Sequence, residues 1–451
     1  MTTRYVNPGE SIQAAINASV AGDTVLVKAG TYPGNINLNK SITLEGETGA
    51  NLLASTPGSG YGVSISASNC TMRGFYIDSF GNAITVPNAG NNGANSINGP
   101  SNVTIDGNHT YYSNYHYWIE GKNWKVTNNI FQRVRWWYGT GDADYGRIAG
   151  QGHRFAGNYL FGTNLSSTDL APASGTDYSH CDCMQYQGFN GEVLWDCIIE
   201  NNYFTDFFQC LFLCDEKPGS IRNLIVRNNV AWGSNWTPPA GSANYGSRPS
   251  WGFVFGKGVG GDGLTCVNNT IHNCANGIGI RATWTNSRCT NNIITNCGTV
   301  YDPSTANPSA VQIGNIIWNN QGIGQSGFAG SDSLMNPGYA NINTPLGADG
   351  LPMTSDDGWR PTASGTNGFG SQYSTGGTAP TSPPDPTPTP KPTPEYVTHD
   401  EFAAAQTADD ARMDAIEARL TALETRMNAQ PKTRMALRGY DGRKYYGRVE
   451  P

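Results

Sequence analysis

One short phrase recurs along most of the chain: an apolar or β-branched stretch runs into Asn-Asn or Gly-Asn, and another apolar stretch follows. The last Asn of each copy is one of eight residues, Asn108, Asn129, Asn158, Asn202, Asn229, Asn269, Asn292 and Asn315. Successive copies are 21, 29, 44, 27, 40, 23 and 23 residues apart. A unit in the low twenties, lengthened by insertions, predicts a solenoid in which each unit buries its apolar face against the next.

A unit of this length accommodates three short strands and three turns. Strands in neighbouring coils would stack about 4.8 Å apart, and Asn at a shared corner tolerates the left-handed backbone and can bond to the Asn above and below. The sequence therefore predicts an all-β fold, a right-handed parallel β-helix over residues 23–372, after a capping segment at residues 1–22. In the capping segment, Ser11 is expected to begin a short helix with Ile12 and Ile16 on its apolar face.

Two segments carry a resemblance to a known superfamily. Residues 11–44 and 332–370 are similar to the first and last coils of the pectate-lyase-like right-handed β-helix superfamily. The resemblance implies this fold over about the first 375 residues. It implies no single function, because the same fold carries lyases, hydrolases, epimerases and non-catalytic adhesins.

The composition changes after the solenoid. Residues 373–395 form a Pro/Thr-rich linker, which predicts a stiff spacer without a core. In residues 396–430, a 3-4-3-4 spacing predicts a coiled coil with five core residues, Met413, Ile416, Leu420, Leu423 and Met427. A lone helix this short is marginal in water, so we expect self-association, as a homotrimer rather than the alternative dimer. Residues 431–451 are basic and are either a solvated tail or a docking peptide.

This order of segments resembles the tail spikes and the tail or head fibres of bacteriophages, which are trimeric virion appendages. The resemblance implies a virion protein made in the host cytoplasm, with residues 431–451 contacting other virion proteins. The first residues lack the apolar stretch of a signal peptide, and no apolar run approaches membrane-spanning length. The formal net charge of −7 argues against nucleic acid as the main partner.

The spacing of cysteines and aspartates bears on cross-links and metal binding. Cys266 and Cys289 lie one unit apart, which predicts reduced core residues stacked on each other. Asp349, Asp356 and Asp357 offer oxygen ligands for Ca²⁺, but turn formation is the favoured role, and no cofactor is expected.

Polar and ionisable residues that could act in catalysis are most concentrated in the predicted strand near residue 182. Alternation places His180 and Asp182 on one face, and the stretch resembles the His-x-Asp-x-x-Gln strand of many uncharacterised β-helix proteins. The candidate catalytic residues are Asp144, His180, Asp182 and Asp215. Two such carboxylates suit glycoside hydrolysis, a Lys or Arg would suit a lyase, and a structural hydrogen-bond ladder is the alternative to catalysis.

Aromatic residues are concentrated beside this stretch, and exposed rings are what sugar faces stack on. The candidate carbohydrate-binding residues are Trp136, Trp137, Tyr138, Tyr145, Tyr178, Gln185, Lys257 and Arg281. An interface between protomers is the alternative role for the aromatic ones. The leading functional hypothesis is a phage appendage that binds host-surface glycan; the alternatives are a polysaccharide depolymerase, hydrolase or lyase, and a non-catalytic structural or decoration protein of the virion.

Overall fold

The protein is described by a computed structural model, and its chain divides into two units, Met1–Ser382 and Pro383–Pro451. The described residues are 1–90, 93–135, 143–161, 182–186, 188, 191–205, 207, 209–213, 220–233, 251–256, 261–280, 284–301, 311–322, 332–371, 436–438 and 444–446. The predicted linker at 373–395 and coiled coil at 396–430 lie outside them.

Three long stacks of parallel strands build the first unit. The first sheet contains Thr3–Val6, Thr24–Val27, Thr43–Gly46, Thr71–Arg73, Thr104–Asp106, Lys125–Thr127, Arg154–Ala156, Ile198–Glu200, Ile225–Arg227, Thr265–Val267 and the first parts of Ser287–Thr295 and Val311–Trp318. The second contains Gly30–Pro33, Ala50–Leu53, Tyr76–Asp78, His109–Tyr111, Ile130–Gln132, Tyr159–Phe161, Tyr203–Thr205, Val230–Trp232, Thr270–His272, the second parts of those two long strands, and Ser333–Leu334.

The third sheet has ten strands, and a short fourth sheet has three. The third contains Ile36–Leu38, Ser59–Ile65, Phe80–Thr85, Tyr115–Ile119, Asp144–Ile148, Asp182–Tyr186, Gln209–Leu213, Trp251–Phe255, Asn276–Ile280 and Thr299–Tyr301. The fourth contains Gly150–Gln151, Leu194–Trp195 and Ile221–Arg222. Each strand pairs with its counterpart one coil later, so the chain forms the predicted parallel β-helix around one apolar core.

The asparagine column is confirmed. The backbone N–H and the Nδ2 of Asn229 both donate to Oδ1 of Asn269, each at 3.0 Å, and Asn269 makes the same pair of bonds to Asn292 at 2.9 Å. At the ends of the column, Phe75 N–H donates to Asn108 and Asn315 N–H donates to Asp332. Because every buried amide has a partner above and below, the column stabilises the corner between the first and second sheets.

The last two residues of the repeated phrase have different structural roles. The sequence pattern assigned both the left-handed backbone and the ladder to one Asn. In the structure the residue before the ladder Asn has the positive φ, for example 55° at Asn201 and 67° at Gly157. Asn202 and Asn158, which follow them, are buried in the ladder. Asn or Gly therefore suffices at the first position, because either tolerates the left-handed region, while the second needs the amide.

A short helix, Ile12–Ala18, closes the start of the solenoid as predicted. Ser11 caps it, with Oγ accepting from Ala14 N–H at 3.1 Å, and Ile12 and Ile16 are buried. The strand Thr3–Val6 before the helix already pairs with Thr24–Val27. A 3₁₀ helix, Gly93–Asn98, is the other described helix of this unit. Among the described helices, none combines the length and hydropathy that spanning a bilayer requires.

The chain after Leu334 returns along the outside of the solenoid instead of adding a coil. Tyr339 OH bonds Thr295 Oγ1 at 2.7 Å, while Ser371, further along the chain, bonds Thr270 and the carbonyl of Asn228 in earlier coils. We call residues 336–371 the return segment. The resemblance of residues 332–370 to a last coil therefore holds only for its first residues, because the rest packs on the second sheet.

Two further predictions concern cysteines and the tail. Cys266 and Cys289 are paired in register and buried, so their predicted stacking is confirmed. The eight described cysteines are free thiols. In the second unit, Ala436–Arg438 pairs antiparallel with Lys444–Tyr446, which gives the basic tail a short hairpin.

Candidate functional site

The strands of the third sheet from Tyr115 onward do not alternate simply. Their second, third and fifth residues lie in the apolar core, as the buried set Cys183, Met184, Tyr186, Cys210, Leu211 and Leu213 shows. In four of these strands the first and fourth residues meet outside it: for example, Trp251 packs on Val254 in a separate cluster, and Tyr115 contacts Trp118 at a centroid distance of 5.2 Å. Residues three apart therefore share the outer face of this sheet.

These outer residues line up from coil to coil. We call the set the outer strip; it consists of Tyr115, Trp118, Asp144, Arg147, Asp182, Gln185, Gln209, Trp251 and Val254. Four coil-to-coil steps of about 4.8 Å separate its first and last strands, or about 19 Å in total. Its two ends carry the partly exposed rings of Tyr115, Trp118 and Trp251, and its middle is polar. Predicted residues Asp144, Asp182 and Gln185 are thus brought together.

The polar middle is a buried network of charged and amide groups. Arg147 Nε donates to Asp144 Oδ2 at 3.0 Å, and Asp144 Oδ1 accepts from the backbone N–H of Asp182 at 3.2 Å. Gln185 Nε2 donates to Asp182 Oδ2 at 3.1 Å. Asp144, Asp182 and Gln185 are fully buried. The network therefore fixes the side chains on two neighbouring strands in one arrangement.

Arg147 also joins the network to the aromatic end of the strip. Its guanidinium lies 5.3 Å from the centroid of the Tyr115 ring and 5.0 Å from that of Trp118. Its side chain keeps 22% of its surface exposed, whereas that of Asp144 has none. A cation held between a buried carboxylate and exposed rings keeps those rings in a fixed orientation.

Both glutamine amide oxygens of the strip are buried and have no hydrogen-bond donor in the described part of the chain. They are Oε1 of Gln185 and Oε1 of Gln209, and their residues are 0% and 5% exposed. Gln209 is the register partner of Asp182 on the next strand, so both amides leave the sheet on the same face. Buried polar atoms are normally paired, and an exception at a candidate site suggests a partner that binds there.

Two glutamates near the strip were not predicted. Glu120 directly follows the strand Tyr115–Ile119 and accepts from Gly90 N–H at 2.6 Å. Burial, and then the nearby charge of Glu120, raise the pKa of Glu192 to about 7, while the charge of Arg147 opposes the rise. Glu192 can therefore exchange a proton near neutral pH. Neither glutamate belongs to a repeated phrase, so only the stacking of coils reveals their proximity.

Tyr145 does not take the predicted sugar-binding position. Its ring is fully buried in the core and stacks on His116 at a centroid distance of 5.3 Å. It is a second-position residue of its strand, and these face inward. The other predicted site residues lie outside the described residues: Trp136, Trp137, Tyr138, Tyr178, His180, Asp215, Lys257 and Arg281.

A row of arginine–tyrosine pairs lies at the corner that leads into the strip. Arg133 donates to Tyr111 OH and Arg135 donates to Tyr112 OH, both at 2.8 Å. Tyr112 and Arg133 each have a φ of 55°, at a corner where later coils use Asn273. A bulky residue in this region is strained, so these two side chains are placed at an energetic cost.

The aspartates considered for Ca²⁺ form turns. Asp356 Oδ2 accepts from the backbone N–H groups of Ala348 and Asp349, and Asp357 Oδ2 accepts from that of Thr354. Hydrogen bonds, led by that from Thr354, lower the pKa of Asp356 to about 2, whereas burial raises the pKa of Asp357 to about 7. Within the described residues, no cluster of three His, Cys, Asp or Glu side chains is arranged to hold a metal.

Comparison with known proteins finds similar solved structures at low sequence identity. No family model matches the chain, and no curated protein matches it. Similar solved structures include pectate lyase Pel9A, at 16% identity over 77% of this chain and 85% of that one, with a TM-score of 0.49. They also include the A-module of Azotobacter vinelandii mannuronan C-5 epimerase AlgE4, at 14% identity over 72% and 93%, with a TM-score of 0.42.

A third is a tailspike double mutant of E. coli bacteriophage HK620 in complex with a pentasaccharide. It shares 12% identity over 76% of this chain and 65% of that one, with a TM-score of 0.41. All three are right-handed parallel β-helix proteins, the class that the sequence predicted. The assignment of this chain to a parallel β-helix itself rests on its strand pairing.

Proposed function

We propose that this protein binds a polysaccharide along the outer strip, as a phage-type virion appendage whose β-helix contacts host-surface glycan. The observation that carries the proposal is the strip itself, with a polar middle between the aromatic pair Tyr115–Trp118 at one end and the ring of Trp251, packed on Val254, at the other. Rings of this kind stack on the apolar faces of sugars, and convergent carboxylate and amide oxygens accept from sugar hydroxyls.

Access to the strip differs between its ends and its middle. Tyr115, Trp118 and Trp251 are partly exposed, whereas Asp182 and Gln185 are buried in the free protein. A glycan would therefore contact the aromatic ends first, and the chain around the polar middle would have to open to admit a sugar ring.

The virion role is supported by the order of segments in the sequence. A coiled coil at residues 396–430 would join three chains, and the tail at residues 431–451 would contact other virion proteins. Three strips on one particle would raise a weak affinity for each sugar through avidity.

Cleavage of the bound glycan is a second candidate function, and one observation favours it. Glu192, with its pKa raised to about 7, lies within electrostatic reach of Glu120 and of Arg147, the arginine that is bonded to Asp144. A carboxyl group that is protonated near neutral pH can act as a general acid, with an ionised neighbour as base or nucleophile.

Incubation with bacterial capsule and with lipopolysaccharide tests both functions. We expect the protein to bind at least one of them, and Asp182→Asn to weaken binding by about tenfold or more, because a charged acceptor is lost. Glu47→Gln is the control, since Glu47 is part-exposed and pairs with Lys28 away from the strip. Release of oligosaccharide by the native protein but not by Glu192→Gln would establish cleavage. Failure to bind across surfaces from a broad panel of bacteria would refute the proposed function.

A further inference from the structure

On the basis of the proposed function, we infer that the sugar held at the middle of the outer strip carries no carboxylate and is bound through its hydroxyl donors. The observation behind this is a site made almost wholly of acceptor atoms, namely those of Asp144, Asp182, Gln185 and Gln209.

The orientation of the Gln185 amide is fixed by its neighbour. The oxygen Asp182 Oδ2 needs a donor, and Gln185 Nε2 supplies it at 3.1 Å. Oε1 of Gln185 therefore lies on the other side of the amide, where it is buried and has no donor in the described part of the chain. A ligand that completes this atom must donate a hydrogen bond.

Gln209 repeats the requirement one strand further along. It is the register partner of Asp182, it is 5% exposed, and its Oε1 likewise has no donor among the described residues. Two acceptors on neighbouring strands match a ligand that presents several hydroxyl groups, as a hexose does.

The charge around the strip disfavours an acidic sugar. The guanidinium of Arg147 is already bonded to Asp144, and its charge is also within electrostatic reach of Glu192, which senses Glu120 as well. Asp182 adds a further buried carboxylate on the neighbouring strand. A sugar carboxylate placed at the middle would meet like charges and acceptor oxygens that cannot donate to it. Both effects would select against a uronic acid and in favour of an uncharged sugar.

A matched pair of polymers tests the inference directly. Polygalacturonate and its carboxyl-reduced form have the same linkages and differ only in carboxylate against hydroxymethyl. We expect the native full-length protein to bind the reduced form at least about tenfold more tightly, measured by titration at constant ionic strength. Tighter binding of the acidic parent would overturn the inference while leaving the proposed function in place. Binding of neither form, nor of dextran or mannan, would count against the proposed function itself.

The variant Gln209→Leu gives an independent test, because it removes a buried acceptor without removing the bond from Gln185 to Asp182. It should leave the free protein as stable or more stable, yet weaken binding of the reduced polymer by about tenfold. A purely structural role predicts the reverse, with lower thermal stability and unchanged affinity, and that result would overturn the inference. Glu47→Gln serves again as the control and should change neither quantity.

Discussion

At the scale of single residues, the repeated phrase combines two requirements that look like one in the sequence. The first position supplies a left-handed backbone and accepts Asn or Gly, as at Asn201 and Gly157. The second position supplies a buried amide that bonds to the coils on both sides, as at Asn202. Because the two positions are adjacent, only the geometry of the corner separates their roles.

This separation predicts opposite outcomes for neighbouring substitutions. Asn202→Ala removes the acceptor for Asn158 N–H and Nδ2 and the donor to Phe155 O, so it should lower the free energy of unfolding by about 2–4 kcal/mol. Asn201→Gly keeps the left-handed backbone and should change it by less than about 1 kcal/mol. Urea denaturation measures both. Equal effects of the two variants would show that the ladder amide has no special role.

Glu192 predicts a pH dependence whose sign is fixed. Its pKa is about 7 in the folded protein, above the usual 4.5, so the folded state binds its proton more tightly than the unfolded state does. Stability from this group is therefore present at low pH and is lost as the pH rises through about 7.

The variant Glu192→Gln cannot ionise at this position, so it should not lose stability as the pH rises through about 7. Its melting temperature relative to the native protein should be higher at pH 8 than at pH 5, by about 1–3 °C, as measured by differential scanning calorimetry. A difference that is the same at both pH values would mean that Glu192 does not titrate between them.

At the scale of elements, the third sheet departs from strict alternation. The sequence prediction grouped His180 with Asp182 by a two-residue period, whereas the structure puts Asp182 on the same face as Gln185, three residues on. Two consecutive core residues, Cys183 and Met184, separate them. A strand with two inward residues in a row cannot be recognised from period alone, because the apolar run looks the same in either arrangement.

The return segment is the second element that the sequence did not predict. Its main contact with the solenoid is made by Trp359. This ring is fully buried against Tyr203, Val230 and Trp232 of the second sheet. Trp359→Ala should weaken the packing of residues 336–371 on the second sheet by about 3–5 kcal/mol, because a large buried ring is lost. Their backbone amides should then exchange with deuterium faster, while those of the asparagine column stay protected.

Trp318→Ala is the matched control, because Trp318 is 43% exposed. It should leave exchange in the return segment unchanged. Faster exchange throughout the solenoid in Trp359→Ala would instead show that the return segment and the coils unfold as one unit.

At the scale of the whole molecule, the fold was predictable and the site only in part. The recurrence of Asn158, Asn202 and Asn229 fixes which residues become vertical neighbours, and so it placed the strand of Gln209 on that of Asp182. Asp144 was expected in the preceding loop and instead begins the strand Asp144–Ile148. Glu120 and Glu192 were not predicted because they lie outside the strands, where the spacing of the repeated phrase gives no position for them. Stacking of coils, not local sequence, brings them to the strip.

Assembly also belongs to this scale. Three chains of 48.3 kDa would give a particle of about 145 kDa, which light scattering after size-exclusion chromatography measures. The double variant Ile416→Asp, Leu420→Asp places charges in the predicted coiled-coil core and should reduce the mass to that of one chain. A native protein that elutes as a monomer would contradict the predicted trimer.

The most direct test of the account is the position of a bound glycan. A crystal structure of the protein with an oligosaccharide from the polymer that it binds would show where the sugar rings lie. We predict density along the outer strip between Tyr115 and Trp251, with a sugar hydroxyl within hydrogen-bonding distance of Gln185 Oε1. Density confined to the face of the first or second sheet, with the strip unchanged, would contradict the account.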